Sequence, residues 1–148
     1  MQKFTPSFQL YLRLALGISF FVFGLDRLGA WGKYGEHGVS WGDWQHFMVY
    51  AKDVMQFLPV GVATVFAVIA TIAEITLGVL LVLGLFTRIA AIGGGLLTLL
   101  FGTSMAISHG IMEPLSYSVF SASAGGFLLA TVNEYKWGID DWFRRKKA

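Results

Sequence analysis

Apolar residues in this chain run in long unbroken blocks rather than in the stripes of a soluble surface. Four blocks stand out: Phe8–Leu28, Val60–Leu85, Ile89–Ser108 and Leu115–Val132. Each reaches about 18 residues or more, the length an α-helix needs to cross a ~30 Å hydrocarbon core at 1.5 Å per residue. None carries the charged outer face that a soluble bundle requires. The pattern predicts an all-α, integral membrane four-helix bundle, one domain over residues 1–148. The first block is too long for a cleaved signal peptide, and Asp26-Arg27-Leu28-Gly29 offers no small-residue cleavage pattern.

Between the first two blocks the pattern changes. Trp44, Phe47, Met48, Ala51, Val54, Met55 and Leu58 recur at helical spacing, with Asp43, Gln45, Lys52 and Asp53 between them. This predicts an amphipathic helix in the first outer loop, lying on the membrane surface or capping the bundle. Within the blocks, small and polar residues fall on single faces. Arg13, Gly17, Phe20, Gly24 and Arg27 form one stripe of the first span, and Thr64, Ala67, Thr71, Glu74 and Gly78 one of the second. The third span offers Gly95, Thr98, Gly102, Met105 and His109, and the fourth the pairs Ser121/Gly125 and Ala122/Gly126. Small residues let helix backbones approach, so all four spans are expected in one compact bundle.

Composition sharpens the environment. Charged residues are 14% of the chain, against roughly 25% in soluble domains. The absence of cysteine excludes intrachain disulfide exchange, thiolate metal sites and cysteine-held iron–sulfur clusters. Net charge is only +2, and the positive residues gather at span ends, so no nucleic-acid face is expected. Lys3, Arg13, Arg88, Lys136 and Arg144–Lys147 fall on one side, against Arg27, Lys33 and Lys52 on the other. The positive-inside bias predicts a multi-pass protein of the plasma (inner) membrane with both termini cytoplasmic. The Arg144–Lys147 tail is expected to act as a stop-transfer anchor touching anionic lipid.

Glu74 is the candidate for chemistry, catalytic if any residue is. It lies eleven residues from Leu85, about 16 Å from the cytoplasmic edge and near the midplane. A carboxylate in hydrocarbon calls for a partner or a use. Arg13, about 8 Å in from the same edge, is the expected partner; the ligand-binding set is Arg13, Glu74, Gly17, Gly78 and Thr71. A structural ion pair and a ligand anchor are equally compatible with this set. Arg27, Arg88 and His109 form a second tier: Arg27 is expected to pair locally with Asp26 or snorkel, Arg88 to mark topology, and His109 to bond at the interface. The three histidines lack converging ligand spacing, so no metal site is expected, and no histidine pair within the spans would hold haem.

Two stretches resemble the DoxX family: Arg13-Leu-Ala-Leu-Gly17 with Phe20 to Gly24 and Asp26-Arg27-Leu28, and Glu74-xxx-Gly78-xx-Leu81-xx-Gly84-xx-Thr87-Arg88-xx-Ala91. Arg27 stands where the family often has lysine, which puts in doubt any role needing a titratable amine. The resemblance implies a four-helix membrane protein of a broad group. Some members are similar to small membrane subunits of thiosulfate:quinone oxidoreductase, others are linked to redox-stress complexes, and distant ones to assembly roles. The leading expectation is therefore a membrane subunit of a quinone-linked oxidoreductase, binding quinone in the bundle with no intrinsic cofactor. The rival is a non-catalytic anchor or assembly factor for a redox or stress-response complex. A soluble or membrane redox partner is expected besides the lipid bilayer, and a homo-oligomer is left open. A transporter is the weakest reading, because no broken helix stands opposite Glu74.

Overall fold

The computed structural model describes residues 5–147. Lys3 of the charge distribution, and the side chain of Lys147, lie outside the described residues. Among the described residues seven helices follow in order: α1 Thr5–Asp26, α2 Trp44–Val54, α3 Val60–Leu83, α4 Thr87–His109, α5 Met112–Ser116, α6 Val119–Ala130 and α7 Ile139–Lys147. Among the described residues α1, α3 and α4 are long and apolar enough to cross a membrane. Their outward residues are apolar and exposed (Ile18, Val65, Ile69, Ile72 and Leu100, for example), as a lipid-facing surface requires. The result is an all-α membrane bundle.

Two expectations about its elements need correction. The fourth span is not one helix, because Ser118 adopts φ 55° and separates α5 from α6. Its 12 residues cover about 18 Å, well short of a hydrocarbon core. The buried face of α6 is Ser123, Gly126 and Leu129, rotated from the Ser121/Gly125 pair, and Ser121 is exposed. The terminal basic tail lies in a further helix that the sequence reading did not include, α7.

Helices pack through glycine. The tightest pairs are α1 with α3 and α4 with α6. A methyl added at Gly78 would sit 2.7 Å from the Phe21 backbone nitrogen, and one at Gly126 would sit 2.9 Å from Gly95 Cα. Only hydrogen fits at either place. Leu16, Phe20, Leu81, Ala90, Ala91 and Leu129 form the main core. A second cluster, Phe47, Met48, Ala51 and Ala67, is built where α2 lies on α3.

The α1–α3 register explains that second cluster. Gly17 faces Leu81 and Val82, and Gly24 faces Ile75, so α1 stops opposite Thr71. Thr71 is eleven residues inside the start of α3, a depth of about 16 Å. Helix α1 thus ends deep within the bundle, and α2 occupies the space beyond it. The amphipathic outer helix is observed, and it caps the interior rather than lying on lipid. Asp43 caps it, accepting the His46 N–H at 2.8 Å.

At the opposite end, α3 stops at Gly84, which takes the left-handed conformation (φ 66°) that glycine tolerates. Phe86 is also left-handed (φ 48°), a costly state for a residue with a Cβ. Asp140 supports it from across the sequence. Its carboxylate accepts the Phe86 N–H at 3.0 Å, the Thr87 N–H at 2.8 Å and the Thr87 hydroxyl at 2.8 Å. The start of α4 is therefore capped by a residue of α7.

Candidate functional site

The register places the functional groups. Arg27 follows the last residue of α1, and its backbone stands opposite Thr71, so its side chain turns inward rather than snorkelling. One guanidinium nitrogen pairs with the Glu74 carboxylate and another donates to Thr71 Oγ1 at 3.0 Å. Both charged side chains are only 7% exposed. The guanidinium lies 4.2 Å from the Phe47 ring centroid, on α2, and 5.8 Å from that of Phe101, on α4; aromatic faces attract a desolvated cation. Thr71 hydroxyl also donates to its own helix at Ala67 O, 2.9 Å away. Arg27 Nε is a buried donor that has no acceptor among the described residues.

Asp26 does not pair with Arg27. It turns toward the loop and accepts the Ser40 and Trp41 N–H groups at 3.0 and 2.8 Å, fixing the chain that leads into α2. One carboxylate holds the lid's approach and the next residue holds the site beneath the lid.

Arg13 was the expected partner of Glu74, and the structure places it elsewhere. It is 1% exposed and donates to Lys136 O at 3.3 Å and Trp137 O at 2.7 Å. Gln9, one turn earlier, donates to the same Lys136 O at 3.1 Å. Arg13 thus clamps the C-terminal segment against the α3–α4 turn. Gly17 and Gly78, also expected to line a ligand, are filled by the neighbouring helix instead: Gly17 meets Leu81 and Val82, and Gly78 meets Phe21. Of the five residues expected to bind ligand, only Thr71 and Glu74 come together, and Arg27 joins them from the second tier.

The other second-tier residues lie apart. Arg88 is exposed and donates to Val132 O at 3.3 Å, a cation at a carbonyl just beyond the C-terminus of α6. His109 closes α4 between two carboxylates, Asp53 of α2 at 2.8 Å and Glu113 of α5. Ser108 adds a bond to Val54 O at 2.7 Å. Together they tie the free end of α2 to the rest of the bundle. No group of three or more histidine, aspartate or glutamate side chains among the described residues is arranged to hold a metal ion.

The sequence pattern of the DoxX family matches residues 8–110, well over half of the chain. The chain belongs to the DoxX family. No curated protein and no solved structure matches it. The DoxX match takes in the whole Arg27–Glu74–Thr71 centre and its α2 lid, and ends just past His109. The segment held by Arg13 and the capping Asp140 both lie beyond it.

Proposed function

We propose that this DoxX protein is a membrane subunit of a redox system, with Arg27, Glu74 and Thr71 forming a polar anchor for the carbonyl end of a quinone-class lipid. The observation that carries this reading is a guanidinium, a carboxylate and a hydroxyl brought together inside the bundle beneath the separate helix α2. Buried polar groups in a membrane interior favour function over structure. A quinone supplies two-electron chemistry and two carbonyl acceptors. The chain fits such acceptors with the spare Nε–H of Arg27, and Glu74 is placed to hold or release a proton at its carboxylate. Access in this reading is by movement of α2, which covers the centre, while the α1–α3 seam below is closed by the Gly17–Gly78 contact. The His109–Asp53 bond is the latch. In this reading electrons come from a partner or directly from a reduced substrate, since the chain has no cysteine. The turn end, with α7, faces the cytoplasm in this reading, and a reporter fused after Ala148 should be active only inside the cell.

The test is tryptophan quenching of the purified protein by a short-chain ubiquinone analogue. Saturable quenching, accelerated by His109→Gln and weakened by Glu74→Gln in folded protein, is the expected result. Folded protein that shows no saturable quenching, alone or with co-purifying partners, would end the quinone assignment.

A second reading, a non-catalytic anchor or assembly factor, is favoured by the closure of Arg27 and Glu74 on each other at 7% exposure. It predicts that charge-neutralising changes lower protein level or partner recovery with no dependence on quinone.

A further inference from the structure

Trp137 stands at the turn end with a positive φ of 56° and 57% exposure. Open grooves run along both of its flanks. One is lined by Leu10, Tyr11 and Leu14 of α1, and the other by Leu83 of α3 with Ile139, Trp142 and Arg145 of α7. Both grooves continue on to lipid-facing helix surface, for Tyr11 is 76% exposed and Leu83 46% exposed. Trp142 and Phe143 extend the apolar face of α7 outward, at 51% and 49% exposure.

The polar face of α7 is strongly basic. Arg144 and Arg145 both bond Asp141, at 3.0 and 2.7 Å, and Lys146 lies 3.8 Å from the Trp142 ring centroid. Glu134 takes Lys136 and Arg144 at 3.1 and 2.8 Å. Asp140 is committed to the α4 cap. Four described cations therefore face two available carboxylates at one apolar rim. Exposed indoles beside basic residues on a short amphipathic helix match the membrane interface, where rings sit at headgroup depth.

From this we infer that the Trp137 grooves and α7 form a binding site for an anionic phospholipid, its phosphate at Arg145 and Lys146 and its acyl chains on either side of the Trp137 ring. A soluble partner would not need grooves that merge with the lipid-facing surface. The site is distant from Arg27 and Glu74 and does not depend on the function proposed for them.

The test uses the full-length protein in mild detergent, with native mass spectrometry counting retained phosphatidylglycerol against phosphatidylcholine. The wild type should retain phosphatidylglycerol preferentially. Arg145→Gln with Lys146→Gln should weaken that retention roughly 25-fold, about fivefold per cation. Trp142→Ala should reduce retention of both lipids. Lys33→Gln, a cation of the other end, should change nothing. All four side chains are on the surface, so unchanged helix content and elution volume would confirm that folding is intact. Equal retention of the two lipids, or a preference untouched by the double substitution, would overturn the assignment. So would a dimer abolished by Trp142→Ala with no change in lipid binding, which would give the face to a second copy.

Discussion

Arg13 and Arg27 lie on one face of the first span, and both turn into the bundle, yet they are neutralised in different ways. Arg27 meets a carboxylate, a hydroxyl and two aromatic rings. Arg13 meets backbone carbonyls from a segment more than a hundred residues away. A guanidinium removed from water needs acceptors in fixed directions, and it accepts ionic or dipolar ones. The loop end therefore holds an ion pair beneath α2. The turn end holds a lock, where a second arginine ties α1 to a backbone segment remote in sequence.

Breaking the two arginines separately should expose the difference most clearly. Glu74→Ala leaves an unpaired buried cation and should destabilise by about 3–5 kcal/mol. Replacing both partners, Arg27→Met with Glu74→Leu, should restore most of that stability. Unfolding by denaturant in micelles measures both, and a double variant as weak as the single ones would refute the pairing. Arg13→Ala should cost less, about 2–3 kcal/mol for charge-assisted bonds to buried carbonyls. Its hydrogen bonds go to backbone carbonyls, which no second substitution can remove, and limited proteolysis near residues 132–138 should rise. Arg13→Lys should not substitute, since one ammonium cannot reproduce the fork.

A smaller effect separates the lock from its support. Asp140→Ala removes the cap of α4 and should cost about 1–2 kcal/mol, with Phe86 free to leave its left-handed conformation. Hydrogen exchange at Phe86 and Thr87 reads this directly. Unchanged protection there would mean that the turn holds itself.

The smallest effect is a pH dependence. The Arg145 bond, with help from Arg144 and the Trp137 N–H, pushes the Asp141 carboxyl down to about 2 from an ordinary 3.8. A depressed carboxyl contributes stability above its ordinary value and loses it as pH falls through the depressed one. Docking of α7, followed by Trp137 and Trp142 fluorescence, should be flat from pH 8 to pH 5 by this group and loosen only below about 4. Asp141→Asn should remove that acid transition.

Much of the bundle was legible in the residues. The Arg13–Gly17–Phe20–Gly24–Arg27 stripe is buried throughout, because helical periodicity and small-residue spacing are local properties. The lid was legible too, since Phe47, Met48, Ala51 and Val54 share a face and are buried. The break at Ser118 was not, because apolar composition alone does not distinguish one helix from two. Helix α7 was hidden by its charge: a basic run reads as a membrane-edge anchor, and only the bonds of Asp140 and Asp141 show it as a docked helix. Spacing within α1 puts Arg27 at a helix end, and only the Gly17–Leu81 and Gly24–Ile75 contacts show that this end lies against the interior of α3.

What the chain determined by itself is the medium and the faces: apolar blocks demand lipid, and glycine and polar stripes demand close neighbours. Which charge meets which was decided only by the tertiary fold. The sliding register of two antiparallel helices is set by where glycines seat against the opposite backbone. A shift of one turn, about 5 Å, exchanges one arginine's surroundings for another's. Residue spacing along one helix carries no record of that shift, because it is a property of the pair.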